Sequence, residues 1–298
     1  MWFSMLSTMR TGLQSKAMKN VDRLHILLTN DDGHEAPGIR VMQKVLKNRG
    51  YRVSMVAPSK ERSATGMSTT MHRNLSLMEF EESSWHLDAH PADTVLVALR
   101  HLLEDDPPHL VLSGINFGPN LGVGLHASGT VGAAITALLN GYPAIAVSAG
   151  MSFEEARQTP RTFPSTHKAL EPAAEFTCSV IESLRSSPSG NGNLLPDGIL
   201  LNINYPALPR ERIKGVLYPE ISTGHMIEPE YRRCEETDQL IPRYLAGVDP
   251  EHPHREHGDV RAHLEGYITV SPVKPGWNPL PDETGDLLQR LGDSEPEF

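Results

Sequence analysis

Cysteine is nearly absent from this chain: Cys178 and Cys234 are the only two among 298 residues, and their spacing fits no metal-binding motif. That excludes a disulfide framework and a thiolate zinc site, and it leads us to expect a reducing compartment, the cytoplasm. No apolar run approaches the roughly eighteen residues that a membrane-spanning helix needs. Positive charge is in deficit as well. With 27 Lys and Arg against 37 Asp and Glu, a net of -10, the chain lacks the basic surface that neutralises a phosphate backbone, so neither a nucleic-acid polymer nor a membrane is expected as a partner. A small phosphate ester stays compatible, because one bound cation reverses the local field. No Gly-x-Gly-x-x-Gly follows the first apolar run, which disfavours a dinucleotide dehydrogenase.

What is present is an ordinary globular composition, 39% hydrophobic and 21% charged, arranged as apolar strands alternating with helical stretches. That alternation predicts an α/β fold: a mostly parallel sheet in three α/β/α layers. Strands are expected at 24–28, 51–57, 109–113, 143–148, 198–204 and 266–273, with shorter extended segments near 74–80 and 85–88. Helices are expected from Pro37 to about Gly50, and over 92–103, 130–140 and 167–185. The polar, His-rich and Pro-rich stretch 219–263 has no clear period and is too long for a simple loop. It reads as a C-terminal arm or β-hairpin packed on a partner subunit, followed by the last strand and a short helix near 282–291. The division is therefore a flexible extension over 1–22, an α/β core over 23–218 and the arm over 219–298. The first twenty residues carry Arg10, Lys16 and Lys19 and no acid, a loose likeness to an organellar transit segment; a disordered extension is the plainer reading.

Chemistry concentrates at strand ends. Asp31 and Asp32 follow the first strand within Asn30-Asp31-Asp32-Gly33, Ser63 follows the second, and Asn116 follows 109–113 within Ser113-Gly114-Ile115-Asn116. In open α/β sheets, ligands collect beyond the carboxyl ends of strands, so these residues reach one rim. Two carboxylates about 4 Å apart repel by roughly 4 kcal/mol at an effective dielectric near 20, so the pair must face solvent, hold a proton or hold a cation. Two carboxylates, a hydroxyl and an amide oxygen suit a hard divalent ion, Mg²⁺, Mn²⁺ or Ca²⁺. Downstream, the glycine-rich loop 118–124 runs to Ser128, Gly129 and Thr130 at a helix start. Free N–H groups and the helix dipole make an anion site there, although Ser128 equally suits a plain N-cap. His34 and Glu35 lie close enough to serve as proton donors, with surface loop residues as the plainer reading. His252, His254 and His257 match no strong metal motif and read as a solvated loop.

These segments carry a resemblance. LHILLTNDDGHEAPGI, VAPSKERSATG, SGINFGPNLG and SGTVGAA, followed by YPAIAVS, LNINYPALP and EGYITVSP, resemble the SurE family of survival-protein nucleotidases, metal-dependent phosphatases acting on nucleoside monophosphates. The resemblance spans roughly 24–273. It implies a Rossmann-like core, one divalent cation per subunit (Mg²⁺ or Mn²⁺, with Ca²⁺ as a crystal substitute), and homodimers or homotetramers built through exchanged C-terminal arms. It further implies that Asp31, Asp32, Ser63 and Asn116 ligate the ion. Asp31 and Asp32 would be the catalytic pair, and Asn30, Gly33, Asn120, Ser128, Gly129 and Thr130 would lie against phosphate and substrate. Asp259 stands where the family often has an acid. The chain departs from the family at Val123, Gly124 and Ala127, where many members carry two acids and an aromatic, and at Thr136, which replaces a common glutamate.

The reaction expected is hydrolysis of a nucleoside monophosphate by a metal-activated water. Two rivals stand beside it. One is a haloacid-dehalogenase-like phosphatase with an aspartyl-phosphate intermediate, which usually spaces its aspartates by one residue. The other is a nucleotide-binding or assembly protein with weakened catalysis.

Overall fold

Among the described residues, nine strands form one sheet and two more form a separate antiparallel pair. The computed structural model describes residues 23–156, 162–189, 193–234, 237, 239–246 and 258–276. The strands are β1 His25–Thr29, β2 Arg52–Pro58, β3 Leu77–Glu81, β4 Ser84–Leu87, β5 Leu110–Phe117, β6 Ala144–Ala149, β7 Leu200–Tyr205, β8 Val216–Leu217, β9 Ile227–Arg233, β10 Leu240–Ala246 and β11 Ile268–Val273. The α-helices of six residues or more are α1 Pro37–Asn48, α2 Pro91–Val97, α3 Gly129–Leu139, α4 Pro164–Ser186 and α5 Asp259–Leu264. The strand order in the large sheet is β3-β4-β2-β1-β5-β6-β7-β11-β8. The run β4-β2-β1-β5-β6-β7 is parallel throughout, whereas β11 enters antiparallel to β7.

Continuous apolar strands follow from burial on both faces. All five residues of β1 are buried, and two separate cores explain why. On one face Ile26, Leu28, Met55, Leu112 and Ile145 pack with Ile39, Met42 and Leu46 of α1 and with Leu170, Ala174 and Ile181 of α4. On the other, Leu27, Val56, Val111 and Ala146 pack with Val95 of α2 and with Val131, Ala134 and Ala137 of α3. Fully buried Met42 truncated to alanine would cost about 2–5 kcal/mol. The expected three-layer α/β/α architecture is therefore present.

Helix starts follow local chemistry. Pro37 and Pro91 occupy the first turns of α1 and α2, where a missing N–H costs nothing, and the Asp93 carboxylate accepts from His90 N at 3.0 Å. Several boundaries differ from expectation: the helix expected over 92–103 is α-helical only over Pro91–Val97 and continues as a π-helical turn over Ala98–Leu102, and the helix expected from 167 begins at Pro164. The strand expected to stop at 113 runs on to Phe117, because Asn116 and Phe117 resume pairing with Ser148 and Ala149 of β6 after a register shift beyond Ser113. Within 219–263 the irregular stretch contains the hairpin β9–β10 and the short helix α5, which gave no period in the sequence. The extension over 1–22, the helix near 282–291 and His252, His254 and His257 lie outside the described residues. Among the described residues no helix is long and apolar enough to cross a membrane.

The chain winds from β1 outward to β2 on one side. It then returns through α2 to place β5 on the other side of β1. The sheet thus reverses direction between β1 and β5, with α1 on one face and α2 on the other. That reversal opens a crevice at the carboxyl end of the two strands.

Candidate active site

The turn after β1 hangs in this crevice. Gly33 has φ +99°, and a Cβ there would lie 3.2 Å from the carbonyl carbon of Lys60, so only glycine lets the turn lie against the loop after β2. Two main-chain bonds fasten the contact: Arg62 N donates to Asp31 O at 2.7 Å and His34 N to Pro58 O at 2.9 Å. Asn30 is fully buried. Its amide nitrogen donates to Gly33 O at 2.9 Å, and its Oδ1 has no partner.

Asp31 is 3% exposed and lies against the first turn of α3. Its Oδ1 accepts from the Thr130 hydroxyl, and a Cβ on Gly129 would fall 2.8 Å from the carboxylate Oδ2. Glycine at 129 is therefore what lets a carboxyl group reach the helix N-terminus. Burial raises the Asp31 pKa, with the Thr130 hydroxyl and the N–H groups of the α3 first turn opposing that rise. Asp32 is half-buried, and its Oδ2 accepts from Phe117 N at 2.9 Å across the crevice. Burial first, then the Asp31 charge, and further Glu61 push it up to about 7. Among the described residues no cationic side chain pairs with either of these adjacent carboxylates.

The remaining expected residues divide. Asn116 stands beside Phe117 at the end of β5; its amide nitrogen donates to Gly118 O at 2.7 Å, leaving the oxygen end for a cation in this assigned orientation. Ser63 follows Arg62 directly, and its hydroxyl donates to Glu61 Oε1 at 2.9 Å. Ser128 is the N-cap of α3, accepting from Val131 N at 3.1 Å. Asn120 faces the sheet: its amide nitrogen donates to Ser148 Oγ at 2.9 Å, Asn204 Oδ1 accepts from its N at 2.8 Å, and Asn202 and Asn204 both donate to its carbonyl, at 2.8 and 3.0 Å. Asp259 ties the next part of the loop, accepting from Gly122 N at 3.0 Å and Ser222 N at 2.9 Å. His34 stacks on His86, and burial lowers its pKa.

Sequence reasoning missed four contributors: the Phe117 amide, Glu61, and the seat of the loop on Ser148 and the Asn202–Asn204 pair. Only the last left a signal, since two asparagines two apart inside an apolar strand share one face.

An oxygen-binding ion fits this donor set. Asn30, next in the chain to two carboxylates that repel each other, keeps a buried Oδ1 without a partner. Among the described residues no group of three His, Cys, Asp or Glu side chains gathers anywhere, so a nitrogen or sulfur cage has no counterpart there.

Fold and rim together define a class: doubly wound α/β proteins whose switch-point crevice sets paired carboxylates against the N-terminus of a helix. Within that class, the family model described as "Survival protein SurE" matches residues 26–228, and the chain belongs to the SurE family. It is 37% identical over 256 residues to "5'-nucleotidase SurE" of Carboxydothermus hydrogenoformans, covering 84% of this chain and 90% of that one. It is 34% identical over 272 residues to the Crocosphaera subtropica protein of the same name, covering 86% and 91%. Among solved structures, the SurE protein from Aquifex aeolicus superposes with a TM-score of 0.72 at 28% identity, covering 90% of this chain and 100% of that one.

Proposed function

We propose that this protein is a divalent-metal-dependent phosphomonoesterase that releases phosphate from nucleoside monophosphates. One observation carries the reading: an uncompensated Asp31–Asp32 pair bonded on one side to the first turn of α3 and on the other to the end of β5. The names of the curated relatives, 5'-nucleotidase SurE, support the substrate class.

Asp31, Asp32, Asn116 and Ser63 would hold the ion, Mg²⁺ or Mn²⁺, with Ser63 released from Glu61. When bound, the ion supplies charge to polarise a phosphoryl group and to acidify water. The protein supplies the rest. The N-terminus of α3 favours phosphate oxygens, and the Gly129 and Thr130 N–H groups that bond Asp31 would be shared with them. Thr130 and Phe117 fix the two carboxylates in orientation. Asn202, Asn204 and Asp259 hold the loop 118–124 at a constant height above the sheet, which limits reorganisation as charge develops.

The hairpin β9–β10 leaves Tyr231 63%, Leu240 64% and Ile241 48% exposed. Those side chains support assembly into a homodimer or homotetramer through the arm.

Phosphate release from a panel of nucleoside monophosphates, with Mg²⁺ or Mn²⁺ and then with chelator, tests the function. Release that the chelator abolishes is the expected result. Binding of nucleotide without release would establish the nucleotide-binding alternative, and an acyl-phosphate trapped on Asp31 or Asp32 would establish the haloacid-dehalogenase-like one.

A further inference from the structure

Phe117 has a second role beyond its amide. Its ring meets Phe163 edge-on, centroids 5.6 Å apart at 77°, and meets His167 at 5.2 Å and 56°. Phe117 and Phe163 are half-buried and His167 is exposed. Phe163 also sits in left-handed backbone, φ +46°, a conformation costly for a bulky side chain and one that collects at ligand clamps. Edge-to-face contact covers one face of one ring and leaves the remaining faces free of ring contact, whereas parallel stacking covers a face of each ring.

The other aromatic group near Asp32 is already closed. His34 and His86 stack at 4.5 Å and 29°, Phe80 and His86 at 5.9 Å and 26°, and the Arg40 guanidinium covers Phe80 at 4.9 Å. The His34 and His86 Nδ1 atoms are buried without partners.

The two sides of the crevice therefore differ. The helix N-terminus suited to phosphate belongs to α3, on one face of the sheet, while Phe163 and His167 belong to the start of α4, on the other. The Asp32 carboxylate and Phe117 amide lie between them.

We propose that Phe117, Phe163 and His167 form the platform on which the base of a nucleoside monophosphate stacks, which rests on the nucleotidase reading above. The platform presents π-faces and no set of base-edge hydrogen bonds. It therefore accepts every base, favours purines over pyrimidines by contact area, and discriminates nucleotides from bare sugar phosphates.

The test is the ratio of kcat/KM for AMP to kcat/KM for ribose 5-phosphate in the Mn²⁺-loaded protein, with the ratio of calorimetric affinities as a parallel readout that needs no turnover. Wild type should favour AMP by about tenfold or more, the range that base–aromatic stacking supplies. Phe117→Leu and Phe163→Leu should each remove most of that preference, chiefly through KM. Equal ratios in wild type and both variants would overturn the platform, as would a ratio that falls only in Phe80→Leu. If wild type hydrolyses neither ester, the nucleotidase reading fails, and the affinity ratio still decides whether the rings hold a base.

Discussion

The two ends of the same strands handle charge in opposite ways. At the amino end of β1, β2 and β5, Arg52, Asp106, His25 and His109 join in one bonded network. The Arg52 guanidinium pairs with Asp106 at 2.7 Å and donates to His25 Nδ1 at 2.6 Å; the other ring nitrogen of His25 meets Ser54 Oγ at 2.9 Å; and His109 Nδ1 accepts from His25 N at 3.0 Å. Burial and Arg52 hold the His25 pKa down to about 4, and Arg52 lowers that of Asp106. At the carboxyl end, two carboxylates are raised and, among the described residues, pair with no cationic side chain. The paired charges at the amino end brace the sheet, whereas the raised carboxylates at the other end are poised for a ligand.

Asp31→Asn and Asp32→Asn break the contrast at its source. Each should lower turnover by on the order of 10²–10³-fold while the protein stays folded, and wild-type rates in both would remove the acidic centre from the reaction. Metal-free stability gives a sharper version. Asp32 titrates near 7 when folded, above its ordinary value of 3.8, so the folded state binds the extra proton. The stability it contributes is complete below about pH 4 and is lost as pH rises through about 7. Metal-free Asp32→Asn should therefore match wild type below about pH 4, begin to exceed it as pH rises past that value, and melt several degrees higher at pH 8, at about 2–4 °C per kcal/mol. A variant that melts lower than wild type at pH 8 would show that the carboxylate is compensated without an ion.

The alternation of apolar runs and the strand-end location of Asp31, Asp32 and Asn116 were legible because both depend on local pattern. What was not legible depends on long-range approach. Nothing in the string says that Phe117 N, 85 positions from Asp32, bonds its carboxylate, or that Asn120 faces Asn202 and Asn204 rather than the crevice. The extension of β5 was hidden because Gly114 breaks the apolar period one residue after Ser113. Helix α5 was missed because a six-residue element is shorter than two turns and shows no periodicity.

A smaller effect belongs to Thr130. Its hydroxyl spends its hydrogen on Asp31 and thereby opposes the rise that burial imposes. Thr130→Val deletes that donor and keeps the shape. Proton affinity at Asp31 should increase and divalent-ion affinity should fall by on the order of tenfold to a hundredfold, the worth of one hydrogen bond to a charged group. Calorimetric titration with Mn²⁺ reads this directly; an unchanged affinity combined with weaker phosphate inhibition would move Thr130 from the carboxylate to the substrate.

The smallest effect lies at the far end of the sheet. Asp106 is mostly exposed, with a side-chain accessibility of 62%, so its pair with Arg52 is screened and worth at most about 1 kcal/mol. Its folded pKa is lowered, so the stability it contributes is present above its unfolded value near 4 and disappears as pH falls through the lower folded value. Asp106→Asn should therefore cost a degree or two at neutral pH, progressively less as pH falls below about 4, and no turnover at any pH. That trend runs opposite to the one for Asp32→Asn, whose difference from wild type opens as pH rises. If both variants drift the same way, the carboxylates at the two ends are not held in opposite states, and the acidic rim loses its distinction from a surface ion pair.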